Sequence, residues 1–172
     1  MQPITVDLFD LGGIEDDRAG LEMATGRGEV TTIETGPCQG ETCNERDPLL
    51  SPCVQDAIVV EEVSRTVFRW QDDWQPRQVI VQKLYSESCD ATWVNAYVPD
   101  GTFLFIREQE FVEGTQPVRG LTQADSTGYS WVQSHMANGN VATQACVSLP
   151  VLSIGVGHDL YDHICTDFSQ PA

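Results

Sequence analysis

A chain of 172 residues is long enough for one domain with a buried core, and its 41% hydrophobic content is typical of a globular protein rather than a disordered polyanion. Nine Lys and Arg against 26 Asp and Glu leave a formal net charge of −17. This charge disfavours nucleic acid and anionic membrane surfaces as partners, because both are bound through clustered cations. It would instead attract divalent cations or basic proteins, and the favoured alternative is that it serves solubility alone. No apolar run is long enough to span a membrane.

Residues 1–36 differ in character from the rest of the chain. We predict that they form an acidic N-terminal extension or docking arm ahead of one domain at residues 37–172. In a short strand, the apolar residues Ile4, Val6 and Leu8 of this segment would share one face, and Phe9 would lie on the other. Such a stripe can add a strand to an exposed sheet edge. We therefore predict an edge strand over residues 4–9, on its own domain or on a neighbour's, with a disordered terminus as the alternative.

The stretch from Cys38 to Cys53 holds three of the six cysteines. It also contains Gly40, Pro48 and Pro52, which exclude a regular helix and a central strand. We interpret it as a cross-linked loop that clamps the strands after it.

From Ala57 onward the pattern is typical of β-strands, since β-branched residues and period-two alternation recur between turn residues. Strands are predicted, in chain order, over residues 57–63, 66–70, 78–85, 89–98 and 102–107, with weaker ones over 117–120, 128–134 and 140–147. Residues 71–76 are interpreted as a loop, Pro99–Gly101 as a tight turn and Asn138–Gly139 as a hairpin turn. The predicted fold class is mainly β, a small antiparallel barrel or sandwich with disulfide-clamped loops and a few short helical turns.

Spaced features of the first half carry a family resemblance. They are Cys38-x-Gly40-x-x-Cys43, Asp47-Pro48, Cys53, Asp56-Ala57, Leu84-Tyr85-Ser86, Cys89 and Trp93. In this order they resemble the domain-of-unknown-function family numbered 2690. A looser match continues through Tyr129, Met136, Ala145-Cys146 and Cys165-Thr166, so that the resemblance covers about residues 38 to 166. It implies an extracytoplasmic domain, and it implies no established activity, cofactor or catalytic residue.

Six cysteines without a C-x-x-C pair favour disulfides, which form in oxidising compartments. We pair Cys146 with Cys165, because these two stand alone at the end of the chain, and we favour Cys38–Cys43 and Cys53–Cys89 for the rest. The sequence spacing disfavours the alternative, a tetrahedral site of four thiolates. The predicted localisation is secreted, periplasmic or cell-surface. The first residues lack the basic and apolar parts of a signal peptide, so we expect that a leader has been removed, with export by another route or reduced thiols as the alternatives.

Two imidazoles and two carboxylates lie within residues 158–163, and the candidate metal ligands among them are His158, Asp162 and His163. Helical spacing would place His158 and Asp162 on one face without His163. We favour a solvated loop. The acidic clusters at 15–17 and 72–73 match no EF-hand loop, so we expect no cofactor and keep a divalent cation as the alternative.

Trp74, next to Asp73 and close to Asp72 in a polar loop, is the candidate contact for a carbohydrate or a protein partner. No hydrolase, metalloprotease, P-loop or dinucleotide motif occurs, so no residue is assigned a catalytic role. We favour a non-catalytic extracytoplasmic module that binds cell-envelope material or a protein partner. The alternative is a structural subunit of an extracellular or envelope-associated assembly that docks through residues 1–36.

Overall fold

A computed structural model describes residues 36–69, 73–151 and 160–171, and this part of the chain is mainly β-structure. Its antiparallel strands are β1 (Ile58–Arg69), β2 (Asp73–Ser86), β3 (Ala91–Pro99), β4 (Phe103–Glu108), β5 (Val118–Gln123), β6 (Tyr129–Gln133), β7 (Ala137–Asn138), β8 (Thr143–Val151) and β9 (Leu160–Cys165). The first sheet has the order β1-β2-β3-β6, and β7 also pairs with β3; the second sheet has the order β5-β4-β8-β9. The predicted class is confirmed, and of its two forms the structure has the sandwich.

The core lies between the two sheets and follows the period of two along each strand. In β3, Val94, Ala96 and Val98 are fully buried, whereas Asn95 and Tyr97 between them are only partly covered. The apolar cluster of the core consists of Val79, Val81, Val94, Ala96, Val98, Leu104, Ile106, Ala124, Ala137, Ala145, Val147, Leu149 and Ile164. Even-numbered residues of β3 thus face the second sheet, and odd-numbered ones face away from it.

Two sequence predictions for the first hairpin are wrong. The two strands predicted over residues 57–63 and 66–70 are one strand, β1. The loop predicted over residues 71–76 overlaps β2, which begins at Asp73, and Pro76 pairs with Phe68. Proline cannot donate to a ladder, but the register shifts next to this pair, between Phe68 and Arg69, and such an irregularity accommodates it.

The turn at Pro99–Gly101 is confirmed, with the Thr102 N–H donating to the Pro99 carbonyl at 3.3 Å. The hairpin predicted at Asn138–Gly139 is wrong. The chain does turn there, but β7 before the turn belongs to the first sheet and β8 after it belongs to the second. The turn residues do predict a turn, but β7 pairs with β3, and β8 pairs with β4 and β9.

The loop from Cys38 to Cys53 contains three short 3₁₀ turns, Gly40–Cys43, Pro48–Leu50 and Pro52–Gln55. The prolines begin two of them, because a missing N–H costs nothing at a first helical position. The loop covers one end of the outer face of the first sheet, where its cysteines form a second buried cluster with Trp93 and Met136.

The structure contains the three predicted disulfides, Cys38–Cys43, Cys53–Cys89 and Cys146–Cys165. The last one links directly opposed residues of β8 and β9. The second ties the loop to the turn between β2 and β3. No cysteine of the chain is free.

The carboxylate of Asp56 also ties the loop to this turn. It accepts from the Ser86 hydroxyl at 2.6 Å and from the Ser88 N–H at 2.8 Å. These hydrogen bonds, led by that of Ser86, hold the pKa of the Asp56 carboxyl below its usual value, because they favour the ionised form.

A lowered pKa in the folded state gives a contribution to stability that is present above the unfolded pKa, about 3.9, and is lost as the pH falls below it. We therefore expect Asp56→Asn to flatten the acid limb of a plot of unfolding free energy against pH below about pH 4. Denaturant titrations across this range measure it. Asp125→Asn, at an exposed loop position, is the control, and an acid limb with the same slope in both variants would contradict the role of Asp56.

Candidate functional site

The outer face of the first sheet combines aromatic rings with side-chain amides. Antiparallel pairing sets Gln82 opposite Asn95, Asn95 opposite Gln133, and Tyr97 opposite Trp131. Directly opposed residues share a face, and so do residues two apart on one strand. We call the surface formed by Gln82, Asn95, Tyr97, Trp131 and Gln133 the aromatic–amide face.

A row of hydrogen bonds crosses the strands of this face. The Asn95 amide donates to the Gln82 carbonyl oxygen at 2.8 Å, and the Gln82 amide donates to the Glu62 carboxylate at 2.7 Å. At the other side of the row, the Trp93 indole N–H donates to the Gln133 side-chain oxygen at 3.2 Å. These bonds fix the orientation of the amides, so each presents its remaining donor and acceptor positions in a set direction.

The aromatic residues of this face, Tyr97 in β3 and Trp131 in β6, lie two positions along each strand from the opposed amides of Asn95 and Gln133. The ring centroids of Tyr97 and Trp131 are 5.7 Å apart with an interplanar angle of 50°, which is within the range of favourable aromatic pairs. Tyr129 continues the row at 5.7 Å from Tyr97. Trp131 is 51% exposed, although tryptophan is usually well covered in a folded protein.

A partly exposed face with ring surfaces next to oriented amides is suited to a ligand that is apolar on one side and hydroxyl-rich at its edge. A sugar ring has this form: its C–H face packs on an aromatic ring, while its hydroxyls exchange hydrogen bonds with amides. The arrangement is therefore suited to binding and orienting such a ligand.

A second candidate lies at the edge of the sandwich. A cavity of about 490 Å³ is lined by Asp56, Glu61, Tyr85, Glu87 and the C-terminal segment 169–171. Next to it, the Lys83 ammonium donates to the Ser169 hydroxyl at 3.0 Å, and that hydroxyl donates to the Glu61 carboxylate. A Ser–Lys pair with a carboxylate has the composition of a nucleophilic site.

The geometry of this second candidate is structural rather than catalytic. Besides Ser169 Oγ, Lys83 Nζ donates to the carbonyls of Thr143 and Ser169, both at 2.7 Å. All three ammonium hydrogens are thus engaged, and no lone pair is left to accept the serine proton. Burial lowers the pKa of the Lys83 ammonium, and the negative charge of Glu61 acts in the opposite direction. We interpret the cluster as a clamp between the two sheets and the C-terminal segment.

None of the six residues predicted to contact a partner belongs to the aromatic–amide face as the structure describes it. Ile4, Val6, Leu8 and Asp72 lie outside the described residues. Asp73 and Trp74 begin β2 rather than occupying a loop, which corrects the setting in which they were proposed as contacts. Their role as contacts stays a prediction, as does the edge strand over residues 4–9.

The metal site proposed at residues 158–163 also stays an untested prediction. His158 lies outside the described residues, and Asp162 and His163 belong to β9, so helical spacing does not apply to them. His163 is exposed, with its ring 6.3 Å from that of Phe105. Within the described part of the chain, His163 belongs to no group of three or more metal-ligating side chains.

Sequence reasoning missed Tyr97 and Trp131, although a signal was present. In Asn95-Ala96-Tyr97 and Trp131-Val132-Gln133, small or branched apolar residues alternate with polar and aromatic ones. That alternation places the aromatic residues on the face away from the core. What it could not show is that β6 pairs with β3 and brings the two sets together.

The chain matches no family model, no curated protein and no solved structure. Among the described residues there is no helix with the length and apolar character needed to cross a lipid bilayer.

Proposed function

We propose that this chain is a non-catalytic, extracytoplasmic binding module, and that it binds a neutral polysaccharide of the cell envelope on the aromatic–amide face. The observation that carries the proposal is the half-exposed Trp131 ring, set against Tyr97, which shares its face of β3 with the oriented amide of Asn95. An exposed aromatic patch with a polar rim is a feature of binding surfaces.

Charge and oxidation state support the same proposal. A net charge of −17 repels anionic polymers, which leaves neutral glycans as the favoured class of envelope material. Three disulfides fit an oxidising location, where such polymers are found. The predicted subunit of an envelope assembly, docking through residues 1–36, stays an alternative, and a protein ligand on this face would favour it.

The test is binding to purified neutral glycans by co-sedimentation with insoluble chitin and cellulose, and by calorimetry with soluble oligosaccharides of each. We expect Trp131→Ala to weaken binding about tenfold or more, since a central aromatic contact is typically worth over 1.4 kcal/mol. We expect Trp131→Phe to retain part of the affinity. Because Trp131 packs on Tyr97, its loss should also lower the free energy of unfolding by about 0.5–1.5 kcal/mol for the lost aromatic pair, while the protein stays folded.

Phe111→Ala is the matched control. Phe111 is 68% exposed but lies between β4 and β5, away from the aromatic–amide face, so its removal should leave glycan binding unchanged. The proposal is wrong if no glycan binds, or if the Trp131 and Phe111 variants lose affinity equally.

A further inference from the structure

The two disulfides of the cysteine loop touch each other. Cys38 Sγ and Cys53 Sγ, which belong to different disulfides, are 3.8 Å apart. The sulfurs of Cys38, Cys43, Cys53 and Cys89 all lie within 4.8 Å of one another, and all four residues are buried. Within the described part of the chain this is the one group of three or more His, Cys, Asp or Glu side chains whose ligand atoms meet in this way.

We propose that these four cysteines, when reduced, form a tetrahedral thiolate site for one Zn²⁺ or another soft divalent ion. This goes beyond glycan binding, and it concerns a different part of the molecule. With zinc–sulfur bonds of about 2.3 Å, the sulfurs of a tetrahedral site are about 3.8 Å apart. The Cys38–Cys53 pair already has this separation.

The segments that carry the four sulfurs are held together by bonds that do not involve sulfur. The Gly40 N–H donates to the Cys89 carbonyl at 2.8 Å, which joins the loop to the turn between β2 and β3. The Asp56 carboxylate joins the segment after Cys53 to the same turn through Ser86 and Ser88. Breaking both disulfides therefore leaves the four side chains facing one another.

The stretch around Cys43 has independent anchors as well. The Glu45 N–H donates to the Met136 carbonyl at 2.9 Å, and the Met136 N–H donates to the Arg46 carbonyl at 2.8 Å. The Asn138 N–H donates to the Asn44 side-chain oxygen at 2.7 Å. The loop is thus fixed to the start of β7 whether or not Cys43 is oxidised.

A bound metal ion would replace the two cross-links that reduction removes. Reduction of the two disulfides by a thiol or phosphine reductant transfers two electrons and two protons to each, which gives four buried thiols. Zn²⁺ displaces the four thiol protons and binds the resulting thiolates, and its two positive charges offset half of their negative charge. The Ser88 hydroxyl, 3.8 Å from Cys89 Sγ, is placed to donate to one of them.

Sequence spacing pointed the other way because one of the four ligands, Cys89, is distant in sequence from the other three. Cys38 and Cys43 are 5 positions apart, whereas Cys53 and Cys89 are 36 apart. The first hairpin separates the second pair along the chain, and the fold brings its two members back together. The site is a property of the tertiary structure.

The experiment titrates Co²⁺ into the full-length protein after reduction with a phosphine under anaerobic conditions. We expect one Co²⁺ per chain with the visible absorption of a tetrahedral thiolate complex, displacement of Co²⁺ by Zn²⁺, and no such complex in the oxidised protein. We expect Cys53→Ser to weaken binding by at least about tenfold, because it removes a ligand.

The double variant Cys146→Ser/Cys165→Ser is the matched control, since this disulfide lies in the second sheet and takes no part in the site. It should keep the Co²⁺ complex. A second measurement covers variants that fold poorly: Zn²⁺ should raise the thermal midpoint of the reduced wild-type protein, but not that of Cys53→Ser/Cys89→Ser.

Four results would each overturn the proposal. They are the absence of a thiolate spectrum, equal affinity in Cys53→Ser, loss of the complex in the Cys146/Cys165 control, and a reduced chain that stays unfolded at saturating Zn²⁺.

Discussion

Replacing Lys83 by methionine is expected to lower the free energy of unfolding by about 3–5 kcal/mol, the usual cost of removing one partner from a buried, hydrogen-bonded charge cluster. Lys83 is fully buried. Its ammonium joins β2 of the first sheet to the Thr143 carbonyl in β8 of the second and to Ser169 near the C-terminus. Methionine fills a similar volume but cannot donate to these oxygens, and it removes the positive charge that faces Glu61.

A double-mutant cycle with Glu61→Gln separates the charge cluster from simple packing. Glu61 lies opposite Lys83 in the β1–β2 ladder, and we expect the double variant to lose less than the sum of the two single losses, by about 0.5–3 kcal/mol. Glu62→Gln, one position along β1 and exposed on the outer face, is the control and should stay within about 0.5 kcal/mol of wild type. Additive losses from Lys83 and Glu61 would contradict the clamp.

A chemical probe checks the burial directly, because Lys83 is the only lysine in the sequence. Acetylation of a side-chain amine therefore reports on this residue alone. We expect the native protein to resist acetylation at Lys83 and the denatured protein to react. Rapid labelling of the native protein would show that the ammonium is accessible, and the expected loss of stability would then not follow.

How far the sequence could predict the fold is shown by the first sheet. β-Branched residues predict strand structure over most of Ile58–Arg69 and Asp73–Ser86, although the first was predicted as two strands and the start of the second as a loop. The proline at position 76 led to a false loop, because proline is a strong local signal and the ladder irregularity that tolerates it is not visible in a sequence.

Lys83 shows a signal that was present and unused. It falls at the same parity as Val79 and Val81 in β2, which are fully buried, so period two places the only lysine on the core face. A lysine there requires acceptors from another part of the chain. Those acceptors, in β8 and at Ser169, are 60 and 86 positions away in sequence, and no local pattern identifies them.

The candidate sites depend on pairings of this non-local kind. The disulfide partners followed from the order of the cysteines, whereas the contact between Cys38 and Cys53 follows from the packing of the loop on the turn between β2 and β3. The aromatic–amide face likewise requires β6 to pair with β3 although β4 and β5 intervene. The sequence indicates which residues face away from the core, but it does not show which of them the fold brings together.

The second large effect is expected from Gly120→Ala in β5. Gly120 has a positive φ of 64°, and an added Cβ would lie against the backbone of His135, 2.8 Å from its carbonyl carbon and closer still to its oxygen. The same approach forms a hydrogen bond from the His135 N–H to the Gly120 carbonyl at 3.1 Å. A clash with backbone cannot be relieved by a rotamer change, so this contact between β5 and the segment after β6 must open.

Gly128→Ala separates the clash from the conformational cost. Gly128 has a similar φ of 78°, but an added Cβ there meets nothing within 4 Å. We expect Gly128→Ala to cost about 1–2 kcal/mol, the penalty of a left-handed conformation for an L-residue. Gly120→Ala carries the same penalty and the steric one, so we expect a loss of about 3 kcal/mol or more, or no folded protein at all. Denaturant unfolding with the disulfides intact measures the stability of both variants. If the two variants lose stability equally, within about 0.5 kcal/mol, then β5 and the segment at His135 do not approach each other as the structure shows.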